Sequence, residues 1–159
     1  MADDNFFMRE ALNEARIALE EGNWPIGCVI VKDGKIIAKS HNQVYTLNDK
    51  TAHAEMLAIK QVQDILRVNE GMVTLYTTYE PCPMCFGALI LSRIKRVVSG
   101  INLDKSGAMF LRDNLPILFK QDKFSVDFTK GVLADECYEV FVKGEHCKKL
   151  IKEGLIVLD

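Results

Sequence analysis

Val73-Thr74-Leu75-Tyr76-Thr77-Thr78-Tyr79-Glu80-Pro81-Cys82-Pro83-Met84-Cys85 changes character half-way along. The first half is β-branched and aromatic, and Val73 to Thr77 reads as a buried strand. Pro81 and Pro83 suit a first helical turn and introduce a helix through about Ser92, after which Arg96 to Gly100 reads as another strand. Upstream, Phe7, Ala11, Ala15 and Ala18 recur near helical spacing in an amphipathic segment from Asn5 to Glu21, stopped by Gly22-Asn23. Ile26 to Val31 and Lys35 to Ser40 are strands joined by a tight turn at Asp33-Gly34. A polar loop, His41 to Lys50, leads to a second helix that opens at Thr51 or Ala52 and runs to about Leu66. Downstream, Ser106 to Asn114 reads as a short helix, Ser125 to Val132 as a fifth strand and Ala134 to Lys143 as a helix. The order predicts an α/β fold, a three-layer α/β/α sandwich around a mixed sheet of about five strands, in one domain over residues 1–159.

Composition narrows the class. A chain of 159 residues, 48% hydrophobic and 26% charged, can bury a core of its own. No apolar run approaches the length of a membrane span, and the acidic start Met1-Ala2-Asp3-Asp4-Asn5 does not read as a signal peptide. Five cysteines are an odd count, which suggests free thiols in a reducing compartment and predicts a cytoplasmic protein. Cys28, Cys137 and Cys147 read as small structural residues. A net charge of −2 lacks the basic footprint of a dedicated nucleic-acid binder, although a local patch can suffice.

The chemistry lies in two motifs, His53-Ala54-Glu55 and Pro81-Cys82-Pro83-Met84-Cys85. Two thiols on one helical turn can reach one metal, and His53 can supply a third ligand. Three protein ligands of this kind favour Zn²⁺ and leave a fourth, catalytic position open for water, whose pKa the metal lowers towards neutrality. Glu55, two residues beyond His53, is placed to move protons without binding the metal. Both ligand groups fall at helix starts, whose partial positive charge favours thiolates. Taken alone, a C-x-x-C pair could equally be redox-active or half of a structural zinc site; the simultaneous presence of His53, Glu55 and the two prolines separates the readings.

The paired H-x-E and P-C-x-x-C motifs resemble the signature of the cytidine-deaminase-like zinc deaminases, over roughly Phe6 to Cys137. That resemblance implies the sandwich fold, Zn²⁺ on His53, Cys82 and Cys85, Glu55 as the catalytic acid and base, and a homodimer or larger assembly. It also implies substrate contacts from Asn42 and from the backbone N–H of Ala54. Without it Asn42 reads as a turn residue. Ile26, Trp24 and Phe110 are candidate pocket walls, and Trp24 reads equally well as core.

The substrate is read less directly. Ser92 to Gly100, Asp104 to Ala108 and Gly131 to Cys137 look like the bacterial tRNA-adenosine deaminases. Against that, Gln43-Val44 follows Asn42 where those enzymes usually carry a basic pair, and the last helix lacks their adjacent aromatics. Pro25-Ile26-Gly27-Cys28 and Ser40-His41-Asn42 are similar to fungal-type cytosine deaminases. The guanine-deaminase tryptophan after the C-x-x-C helix is missing; Leu91 and Ser92 stand there. Residues 144–159, with the apolar end Leu155-Ile156-Val157-Leu158, are similar to the closing segment of free-base deaminases. These features favour a free nucleobase or nucleoside such as cytosine or guanine as substrate, with ammonia released. Adenosine deamination at a tRNA wobble position stands second. A non-catalytic zinc-stabilised binding module stands third, and the retention of Glu55 argues against it.

Overall fold

The computed structural model describes residues 3–68, 73–102 and 107–155. Five strands form one sheet in the order β2-β1-β3-β4-β5. They are β1 (Gly27–Lys32), β2 (Lys35–His41), β3 (Val73–Tyr79), β4 (Arg96–Ile101) and β5 (Asp127–Thr129). β1 pairs antiparallel with β2 and β3, whereas β3–β4 and β4–β5 are parallel, so the sheet is mixed as predicted.

Alternation along the strands feeds two cores. Cys28 and Ile30 of β1, with Leu75 of β3 and Val97 of β4, pack with α2 (Ala54–Gln61) and α4 (Pro83–Leu91) through Ala58, Ile59, Phe86 and Leu89. Val29, Val31, Tyr76 and Val98 face the other way, against α1 (Asp4–Glu20) and α5 (Ala134–Phe141) through Met8, Leu12, Ala15, Val140 and Phe141. The helices thus form the two outer layers. Gly27 lets α1 lie directly on β1, because a Cβ there would sit 2.0 Å from the Ala11 carbonyl oxygen.

Three boundaries differ from the sequence reading. The second helix is two: α2 closes at Val62, and α3 (Gln63–Val68) begins beyond it. Val62 is buried at φ −122°, and the break turns Val62 and Leu66 into the core. The fifth strand spans three residues because Gly131, at φ +81°, turns the chain away; a short edge strand offers little to pair with. The tail carries a helix that the sequence reading did not give: residues 145–152 form α6 (Glu145–Lys152), while 156–159 lie outside the described residues. Ser106, at the start of the predicted short helix, also lies outside them, and Met109–Asn114 is a 3₁₀ helix. Among the described residues no helix is long and apolar enough to cross a membrane.

Candidate active site

His53 and Cys82 stand at equivalent places, each the residue capping a helix N-terminus, α2 and α4 respectively. A capping side chain normally folds back onto the first free N–H groups. Neither does so here, which leaves an imidazole and a thiol projecting from two helix starts. Pro83 begins α4 and Cys85 follows in the same turn, bringing its sulfur beside that of Cys82. His53 Nδ1 lies 3.5 Å from Cys82 Sγ and 3.6 Å from Cys85 Sγ. All three ligand atoms lie within 4.8 Å of one another. Nitrogen and sulfur bound tetrahedrally to one zinc, at about 2.0 and 2.3 Å, are about 3.5 Å apart. The three side chains therefore fit a zinc ion with little movement.

The electrostatics agree. A hydrogen bond from Cys85 brings the Cys82 thiol down to about 4, and His53 adds to the effect. The same bond, with burial, pushes the Cys85 thiol upward. The Cys82 contact also raises His53. A metal would displace the proton between the two sulfurs and replace these contacts with ligand bonds.

Glu55 is 4% exposed, in the first turn of α2. Its Oε1 is 3.1 Å from the Thr77 hydroxyl of β3, and its Oε2 is 3.5 Å from Cys85 Sγ. Burial raises its pKa, which suits a group that must both take and give a proton. Ala54, between ligand and carboxylate, is fully buried, and its carbonyl accepts a bond from Ser40 Oγ at 2.6 Å, tying α2 to β2.

Residues 1–101 match the family described as the cytidine and deoxycytidylate deaminase zinc-binding region. The chain belongs to this family of zinc-binding deaminases. The match spans both ligand motifs and the first four strands. A tRNA-specific adenosine deaminase from Bacillus subtilis (strain 168) is 43% identical over 141 residues, 86% of this chain and 85% of the relative. A solved structure from work on A-to-I editing by tRNA:A34 deaminases at the wobble position of transfer RNA is 37% identical, with TM-score 0.71, covering 85% of this chain and 98% of that one. A guanine deaminase from Bacillus subtilis is 42% identical, with TM-score 0.57, over 62% of this chain and 64% of its own.

The other candidates make contacts of their own, away from the three ligand side chains. Asn42 is buried, its backbone N–H bonded to the Ile26 carbonyl at 2.9 Å, so these two are neighbours. Its side-chain oxygen accepts from Val44 N at 3.1 Å, the turn role expected of an asparagine. Trp24 is half-buried and turned to His146 of α6, ring centres 5.6 Å apart. Phe110 is exposed beside Glu80, Gly107 and Lys130.

Four residues escaped the sequence reading. Thr77 holds Glu55, as above. Glu80 is buried, its Oε1 accepting from Met109 N at 3.1 Å, while Ala108 N donates to the Pro81 carbonyl at 3.0 Å. Gly107 packs so closely that a Cβ would lie 2.0 Å from the Glu80 carboxyl carbon. The 107–109 loop thus braces the start of α4. Asn23, read as a helix stop, is buried with its side chain bonded to Tyr45 and Thr46. A carboxylate directly after a buried strand, as at Glu80, was the available signal, since such groups stay inside only when partnered.

Proposed function

We propose that this chain is a tRNA adenosine deaminase that converts adenosine to inosine at the wobble position of an anticodon. One observation carries the reading: 43% identity over 86% of the chain to a tRNA-specific adenosine deaminase. The tRNA:A34 deaminase structure supports it over nearly its whole length, while the Bacillus subtilis guanine deaminase, at 42% identity, is matched over less of the chain.

The free-base reading is therefore corrected. It leaned on overall acidity, on Gln43-Val44 and on an apolar lid. Overall charge does not limit a local basic surface. The described part of the tail includes a helix whose exposed residues include Lys148, Lys149 and Lys152.

In this reading His53, Cys82 and Cys85 hold zinc, which when bound supplies a Lewis acid that acidifies water. Glu55 takes a proton from the attacking water and delivers it to the ring nitrogen next to the reacting carbon. It then carries the second proton to the amino group, which leaves as ammonia. The Thr77 hydroxyl keeps the carboxyl aimed through both transfers. Asn42 offers its amide N–H groups to the substrate while its oxygen holds the turn, the Ala54 N–H at the free start of α2 offers another donor, and Ile26 and Trp24 wall the pocket. We place a homodimer in the same reading. Leu91, on the outer face of α4, is 67% exposed and available to a partner copy, whereas Leu89 of the same helix is consumed by the core.

The test compares inosine formation in an anticodon stem-loop carrying adenosine at the wobble position with ammonia release from adenosine, cytosine and guanine. All arms run at matched low salt, because phosphate contacts are salt-sensitive. Inosine in the stem-loop without small-molecule turnover is expected. Turnover of free bases with no inosine overturns the reading.

A further inference from the structure

His146 lies on α6, far in sequence from the zinc motifs, and its ring joins two segments that carry proposed substrate contacts. It stacks on Tyr45, ring centres 4.1 Å apart and planes 20° apart, and meets Trp24 at 5.6 Å and 37°. Trp24 lies two residues before Ile26, and Tyr45 three residues after Asn42. The two segments also bond to each other directly. Asn42 N donates to the Ile26 carbonyl at 2.9 Å, and the side-chain oxygen of Asn23 accepts from Tyr45 N at 2.9 Å and Thr46 N at 3.2 Å. The second segment runs on to the metal site. Gln43 N donates at 2.9 Å to the carbonyl of Ala52, the residue before His53. A ring resting on both segments therefore bears on walls that are one backbone bond from the chain of a zinc ligand.

The helix is anchored on either side of that ring. Gly144, which caps the start of α6, lies against Pro25; a Cβ there would be 2.9 Å from Pro25 Cγ and Cδ. Cys147, next to His146, is fully buried in the core beneath α1 and α5. Its buried neighbours thus fix where the His146 ring stands. The loop on the other side of the stack has no such anchor of its own. Residues 42–53 form neither helix nor strand, and Tyr45 is 46% exposed. Ordering such a loop costs conformational entropy, and a stacked ring pair offsets part of that cost.

We propose that His146 is a positioning residue for substrate binding: a ring, supplied by the C-terminal helix, that holds the Trp24–Ile26 and Asn42–Tyr45 segments in register beside the zinc site. It acts through the face of its ring. That the substrate is RNA rests on the tRNA reading above; the effect on Trp24 and on the loop does not.

The experiment uses the zinc-loaded protein and the variants His146→Ala, His146→Phe and Tyr45→Ala. Trp24 is the single tryptophan of the chain, so its fluorescence reports on one side of the bridge, and the backbone amide shifts of Tyr45 and Thr46 report on the other. Both are read without substrate; KM and kcat are then measured on the anticodon stem-loop. In His146→Ala, Trp24 emission should move to longer wavelength and quench more readily with acrylamide, and both amides should shift. KM should rise about two- to tenfold, the scale of one aromatic pair, while kcat changes less than about twofold and zinc content stays at wild type. His146→Phe keeps a ring and should restore emission, amides and KM together. Tyr45→Ala, at an exposed position, should raise KM equally with the thermal transition near wild type, and the double alanine variant should be no worse than either single one. Emission and amides that stay fixed in His146→Ala overturn the proposal. So does a wild-type KM in that variant, a Phe variant that folds without restoring KM, or KM effects that multiply in the double variant. Absence of any RNA turnover by the wild type sinks the tRNA reading instead, and the emission and amide shifts still decide the bridge.

Discussion

The two faces of the central sheet are built from the same strands and do different work. On the face covered by α1 and α5, Phe7, Met8, Leu12, Tyr76, Val98 and Phe141 form a continuous apolar layer, and its polar groups sit at the rim, where Arg96 forks onto Asp4 and Tyr76 donates to the same carboxylate. On the face covered by α2 and α4, the apolar layer stops at one end, where two helix starts bring His53, Glu55, Cys82 and Cys85 together beside Thr77. The first face can lose a contact and keep its chemistry; the second can lose its chemistry and keep its fold. Buried polar groups are costly unless partnered, and at the catalytic end Glu55 is partnered by Thr77 and Cys85.

Removing a ligand tests that contrast most severely. Cys85→Ala should abolish stoichiometric zinc and with it all turnover, because two ligands cannot hold the ion against water. Metal analysis of the purified variant reads this directly, and full zinc retention would show that the ligand set is wrong. Glu55→Ala should separate metal from proton transfer. Zinc content and the thermal transition stay near wild type while kcat falls ~10²–10⁴-fold, the usual share of a general acid–base group. Near-parental turnover in that variant would remove Glu55 from the mechanism.

The other face should respond in the opposite sense. Leu12 is fully buried between α1 and the sheet, and Leu12→Ala should cost about 2–5 kcal/mol of unfolding free energy through lost burial and the cavity left behind. Activity per folded, zinc-loaded molecule should be unchanged, as chemical denaturation and an assay well below the transition would report. A large fall in kcat without a fall in stability would mean that the two faces are coupled more tightly than their separate cores suggest.

How much of this was legible beforehand follows the range of the interactions. The zinc ligands could be read because they are packed into two short motifs at helix starts, and the mixed sheet because alternation and turn residues punctuate its strands. Thr77, Glu80 and Asn23 were not read, since their partners, Glu55, Met109 and Tyr45, are distant in sequence and no local pattern announces them. The break between α2 and α3 falls in Gln61-Val62-Gln63, where neither glycine nor proline marks it; only the demand of the core for Val62 and Leu66 does. The substrate was misjudged because whole-chain charge and an apolar tail stood in for a surface that neither of them specifies.

The smallest effect is expected at the rim of the apolar face. Arg96 holds Asp4 through two bonds of 3.0 and 2.7 Å, and the Tyr76 hydroxyl donates to Asp4 at 2.8 Å. The Arg96 bond holds the Asp4 carboxyl below the usual carboxylate range, although burial opposes it, and burial pushes the Tyr76 phenol up to about 12. Because the folded pKa of Asp4 lies below the unfolded value of about 3.9, its contribution is complete above that value and is lost as the pH falls through the folded one. Asp4→Asn should therefore cost about 1 kcal/mol or less at neutral pH, as partly exposed ion pairs do. Its distinguishing mark is in acid: the difference in unfolding free energy between wild type and variant should shrink as the pH drops below about 4. Denaturation midpoints at several pH values read this with no assay of function. A difference that stays constant down to the acid transition would mean that Asp4 acts as a hydrogen-bond acceptor alone, with its charge contributing nothing.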